Sequence, residues 1–90
     1  MEAKEITLTE REIAIFTRTV ERIAGEAPAL QWLTVYLVGD EQISEYCVTF
    51  QSKEAADRLA AQWKGTPGVR KPYYSENLKR WAVTKNLFAA

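Results

Sequence analysis

The chain has no histidine in 90 residues. That absence removes the side chain that most often acts as a general base near neutral pH, and the commonest transition-metal ligand. Triads built on histidine are excluded with it. Cysteine is almost missing as well. Cys47 stands alone, so the chain can form no intramolecular disulfide and no thiolate zinc cluster. A secreted domain of this size usually carries several disulfides. Only four glycines are present, at 25, 39, 65 and 68, and their scatter leaves no phosphate-cradling loop. No apolar run approaches the ~20 residues of a membrane span. The first twenty residues are charged and amphipathic, without the apolar centre of a signal peptide. These absences set the expectations: a cytoplasmic, non-enzymatic protein with no metal, no cofactor, no membrane partner and no evident small-molecule substrate.

What remains is enough for one domain, residues 1–90. Hydrophobic residues make up 47% of the chain, ordinary for a globular protein. At ~0.05–0.15 kcal/mol per residue its stability is roughly 5–13 kcal/mol. Net charge is zero, yet the charge is divided. Residues 1–51 hold nine acidic and four basic side chains, and residues 52–90 hold eight basic and three acidic ones, a split of −5 and +5. Such asymmetry hints at an interaction surface. If the halves interleave in one domain, the field largely cancels.

Thr9 and Glu12 have the spacing of a capping box, flanked by Leu8 and Ile13 at staple positions. Ile13, Phe16, Val20 and Ile23 recur at helical spacing. Gly25 suits a left-handed helix end and Pro28 prevents continuation. The pattern predicts a helix over about Glu10–Ala24, with Ile6–Leu8 a short strand or a lead-in. Leu30–Val38 is rich in β-branched and aromatic residues. Leu33, Val35 and Leu37 share one face; Trp32, Thr34 and Tyr36 share the other. A glycine-led turn at 39–42 leads to Ile43–Gln51, where Tyr46, Val48 and Phe50 alternate with Glu45, Cys47 and Thr49. The two runs read as a hairpin. Ser52 is a suitable N-cap for a second helix with Ala56, Leu59, Ala60 and Trp63 on one stripe, ending at Gly65. Thr66-Pro67-Gly68 has the order of a type II turn. Val69–Tyr74 reads as a strand that Pro72 restricts to an edge or a bulge. Trp81, Val83 and Thr84 favour a strand over 79–85, whereas Ser75 as a cap and the spacing of Leu78, Trp81, Ala82 and Phe88 favour a helix. A second hairpin is the preferred reading. The expected fold is α+β: a two-layer sandwich in the order helix–hairpin–helix–hairpin, with both helices on one face of an antiparallel sheet, ferredoxin-like or related.

Catalytic residues are not evident. Cys47 sits in a strand with no partner in sequence to activate it. Glu10 and Glu12 start a helix, and Asp40 and Glu41 occupy a solvated turn. The run from Glu45 to Ala56 is superficially similar to the third strand and second helix of the RNA-recognition motif. The positions that would face RNA hold Glu45 and Cys47, so the likeness extends to architecture alone.

Two binding readings remain. If helices cover the face of Leu33 and Tyr46, then Trp32 and Tyr36 point away from them and form a protein-contact face. Aromatic residues without flanking cations are enriched at protein interface cores. That favours a protein partner or self-association, possible as a homodimer. The alternative is a nucleic-acid contact made by Arg70, Lys71, Tyr73, Tyr74, Lys79 and Arg80, where cations meet phosphates and tyrosines stack on bases. The competing reading is a solvated hairpin whose aromatics complete the core.

Overall fold

The computed structural model describes residues 2–64 and 68–86. It is a small α+β fold of five strands and two helices, in the order β1 (Ala3–Ile6), α1 (Glu10–Ala24), β2 (Ala29–Val38), β3 (Glu41–Phe50), α2 (Lys53–Gln62), β4 (Tyr73–Ser75) and β5 (Arg80–Lys85). The strands form one sheet in the order β1-β2-β3-β5-β4, and each neighbouring pair is antiparallel. A ferredoxin-like sheet has split βαβ units, in which a third strand separates the strands flanking a helix. Here β1 lies directly beside β2, so the ferredoxin-like arrangement is not the one observed.

Local chemistry sets the helix ends. The Thr9 hydroxyl accepts from the Glu12 amide at 3.2 Å, and the Glu12 carboxylate accepts from the Thr9 amide at 3.1 Å. Gly25 closes α1 in the left-handed region, with φ 77°. A side chain there would be strained, and its Cβ would stand 3.3 Å from Arg58 Nη1. The two helices then cap each other. Arg58 of α2 donates to the Ala24 carbonyl at 2.7 Å, satisfying one of the carbonyls that a helix end leaves open. Glu26, just after α1, accepts from the Gln51 amide at 2.6 Å and the Ser52 hydroxyl at 2.8 Å. Burial by itself raises the pKa of the Glu26 carboxyl. The hydrogen bonds from Ser52 and Gln51, with the charge of Arg80, outweigh it and leave the carboxyl below its ordinary value. Ser52 itself caps α2 by accepting from the Ala55 amide. The helix stops at Gln62, short of Gly65; residues 65–67, including most of the expected type II turn, lie outside the described residues.

Both helices pack on the same sheet face. Val20 and Ala24 of α1, Ala55, Ala56 and Leu59 of α2, and Tyr46, Val48, Phe50 and Val83 of the sheet form one buried cluster. The small alanines let α2 lie close to the strands. On β2 a bulge at Gln31 separates the pairs Leu30↔Val48 and Trp32↔Cys47. This extra residue places Leu30 on the helix side together with Leu33, which strict alternation forbids. The stretch over 80–85 is a strand, and the residues before it form the turn at 76–79. Pro72 has the predicted effect. Val69 bridges Lys85 in isolation, and pairing resumes only at Tyr73 on the edge strand.

Tyr46 is 2% exposed, and its hydroxyl has no hydrogen-bond partner among the described residues. Burial holds its phenol well above the ordinary tyrosine value. The neutral form is therefore favoured on folding, and the sign follows. Stability is intact below pH ~10 and declines as the pH rises above it, because the unfolded chain releases the proton first. Urea unfolding at pH 9 and pH 11 checks this: the wild-type midpoint should fall more steeply than that of Tyr46→Phe, which lacks the proton.

Candidate functional site

With α1 and α2 on one side, the other side of the sheet carries no helix. Strand pairing assigns its residues, because directly paired positions share a face. Tyr36 pairs with Glu5 on β1 and Ile43 on β3; Thr34 pairs with Glu45; Trp32 pairs with Cys47, which in turn pairs with Thr84. Thr49 pairs with Ala82, and Ala82 with Tyr73. Apart from Ile43, the uncovered face is thus a band of small or polar residues on β3 and β5, flanked by Trp32 and Tyr36 on β2 and Tyr73 on β4.

Large side chains shield that band from the flanks. Cys47 is 8% exposed, Glu45 6% and Thr49 0%, although no helix lies over them. The Thr49 hydroxyl accepts from Gln31 at 3.3 Å and from Arg80 Nε at 3.0 Å. Arg80 Nη2 also donates to the Thr49 carbonyl at 3.1 Å. Tyr36 is hydrogen-bonded to Glu45; burial first, then the charges of Glu45 and Glu5, hold its phenol above the ordinary value. The Tyr73 hydroxyl lies 3.4 Å from that of Thr84, which donates to the Cys47 sulfur at 3.7 Å. Trp32 is 39% exposed on the β2 flank of the face.

The sequence candidates separate on this frame. Trp32 and Tyr36 do share the uncovered face. Arg70 and Lys71 meet Tyr73 in a shallow pocket of about 520 Å³ completed by Thr84 and Asn86. Thr84 and Asn86 were invisible in the sequence, since only strand pairing brings them there. Tyr74 points to the opposite face and packs edge-on against Trp81, with centroids 5.4 Å apart. Lys79 sits at the end of the 76–79 turn with φ 55°. Arg80 is on the uncovered face but its guanidinium is engaged by Thr49. That engagement yields a prediction. Arg80→Ala should cost about 1.5–3 kcal/mol of stability, the range for hydrogen bonds from a charged group, read as a lower urea midpoint.

Among the described residues, no group of three or more His, Cys, Asp or Glu side chains is placed to hold a metal ion, and no helix is long and apolar enough to cross a membrane. No protein-family model, curated protein or solved structure matches the chain.

Proposed function

We propose that the chain is a non-enzymatic protein-interaction module that binds through the uncovered sheet face, and that its partner there is a second copy of itself. The observation that carries this reading is Trp32, 39% exposed on β2 at the flank of a sheet face that no helix covers. Tryptophan and tyrosine are among the side chains most enriched at interface hot spots, and this face presents Trp32, Tyr36 and Tyr73.

Charge supports self-association. Glu5 on β1 and Glu41 at the start of β3 mark one corner of the face. Arg80 at the start of β5, with Arg70 and Lys71 beside Tyr73, marks the diagonally opposite corner. A two-fold axis along the remaining diagonal lays unlike corners on each other. It crosses the strands of the two copies near a right angle, one of the two preferred sheet packings. At about 4.8 Å between strands and 3.3 Å per residue, the face offers roughly 500 Å² per copy. Together that reaches the about 1,000 Å² expected of a specific interface.

Sedimentation equilibrium tests the reading with two charge-swapped variants, Glu5→Lys/Glu41→Lys and Arg70→Glu/Lys71→Glu. Each alone should be monomeric, and an equimolar mixture should recover dimers. A wild-type chain that stays monomeric at every concentration removes the self-association.

One observation favours a second reading. Arg70, Lys71 and Tyr73 converge in a single pocket, an arrangement that suits a phosphate and a stacked base. Anisotropy titration with single-stranded DNA and RNA distinguishes it. Binding should weaken steeply with salt, and Arg70→Ala/Lys71→Ala should flatten that slope. No binding at low salt eliminates it.

A further inference from the structure

Basic residues gather where the chain rounds the edge of the sheet between α2 and β4. The Asn86 amide donates to the Gly68 carbonyl at 3.1 Å, the Arg70 amide donates to the Thr84 carbonyl at 3.0 Å, and Val69 bridges Lys85. This short run therefore lies beside the end of β5. Pairing lapses around Pro72 and resumes at Tyr73. Arg70 and Lys71 stand exposed at that lapse, and they line two hollows at once. One is the pocket of about 520 Å³ on the uncovered face, shared with Tyr73, Thr84 and Asn86. The other, of about 300 Å³, lies on the helix side, where Trp63 and Lys64 at the end of α2 meet Val69 and Pro72.

Charge along this path has one sign. Lys64, Arg70 and Lys71 are all exposed, and no carboxylate lines either hollow. The one ion pair among the described residues joins Lys53 to Asp57, so no salt bridge neutralises these three cations. Glu45, one position before the Tyr46–Lys85 pair, is 6% exposed and hydrogen-bonded to Tyr36. Like charges collected without counter-charge repel one another and raise the local potential, and a polyanion relieves both. An aromatic ring belongs to each hollow as well. Tyr73 is 48% exposed in the first, and Trp63 forms a wall of the second.

We infer that the two hollows form one track for a single-stranded polynucleotide that crosses the sheet edge. One base lies against Tyr73 and the next against Trp63 and Pro72, with the phosphates on Arg70, Lys71 and Lys64. A mononucleotide fills one hollow only, whereas a polymer uses the cations on both sides of the shared wall. The bases must be unpaired, because stacking on a protein ring needs a free base face. The inference rests on the nucleic-acid reading above and extends it from one phosphate and one base to a continuous path.

Fluorescence anisotropy of the full chain with labelled decathymidylate and decauridylate tests it, with thymidine monophosphate and inorganic polyphosphate as competitors. The oligomers should bind about tenfold or more tightly than the monophosphate, the scale of one further stacked base. Polyphosphate at equal charge should compete about tenfold or more weakly than unlabelled oligomer, since it has no bases to stack. Log affinity should fall against log salt with a slope of about −2, for three phosphate contacts at ~0.7 each. Lys64→Gln should reduce that slope by about 0.7 and leave competition by the monophosphate unchanged. Arg70→Ala should weaken oligomer and monophosphate alike, and Arg18→Gln, which alters an exposed cation of α1, should change neither. All three variants alter exposed side chains outside the buried cluster, so they should fold as the wild type does. Equal binding of oligomer and monophosphate, or no effect of Lys64→Gln, overturns the track and leaves the single-pocket reading standing. Polyphosphate competing as well as oligomer also overturns the track, because the site then reads charge without bases. No binding of any probe at low salt overturns the track and the nucleic-acid reading together.

Discussion

Trp32→Ala should weaken self-association by about 30-fold or more while the chain stays folded. The factor corresponds to the loss of ~2 kcal/mol or more that defines an interface hot spot. Trp32 is singled out because it combines large size with partial exposure on the uncovered face. It lies on β2 beside Cys47 and Thr84, both small, so the indole stands above its surroundings. The opposed copy can receive it over its own Thr84, small and half-buried on β5. Truncation removes that contact without opening the core, because none of the buried cluster on the helix side touches this face. Folding stability should fall by only about 1–2 kcal/mol, since the indole is already partly solvated. Sedimentation velocity gives the association constant, and urea unfolding of the same preparation gives the stability. An association constant within threefold of wild type would remove Trp32 from the interface.

The largest effect on stability belongs to Phe50→Ala. Phe50 is fully buried on the helix side of β3, immediately before the turn into α2, and pairs with Trp81 of β5. It is in the cluster that joins both helices to the sheet. Truncating a buried phenylalanine costs roughly 3–5 kcal/mol, from lost burial and the cavity left behind. Against a total of roughly 5–13 kcal/mol, that is about a quarter of the stability at the least. At about 4–8 °C per kcal/mol for a domain of this size, the melting temperature should drop by roughly 12–40 °C. A drop of only a few degrees would mean that the core is not organised around this side chain.

Much of the local structure was legible because its causes are local. The Thr9–Glu12 box and Gly25 bound α1 within the sequence that forms it, and the observed span Glu10–Ala24 agrees with the expected one. The clean alternation from Ile43 to Phe50 identified which side of β3 meets the helices. What was not legible depends on pairing between distant segments. Leu30 and Leu33 lie on one face only because Gln31 is bulged, and the bulge exists because Leu30 registers with Val48. The placement of β1 beside β2, which separates this sheet from a ferredoxin-like one, is likewise a long-range choice. At the candidate sites, Trp32 and Tyr36 could be placed together by alternation alone. The basic cluster could not be sorted that way. Arg80 looks like any other cation in sequence, and only the register with Thr49 shows that its guanidinium is committed.

The uncovered sheet face is the element on which the proposed role depends, and the three tryptophans allow it to be watched directly. Trp32 lies on that face, whereas Trp63 and Trp81 pack against the helix-side core. Fluorine NMR of the chain labelled with 5-fluorotryptophan, recorded over a dilution series and assigned with Trp32→Phe, reports on each ring separately. The Trp32 resonance should move with concentration while the other two hold their positions. Movement confined to Trp63 or Trp81, with Trp32 unchanged, would place the contact on another surface.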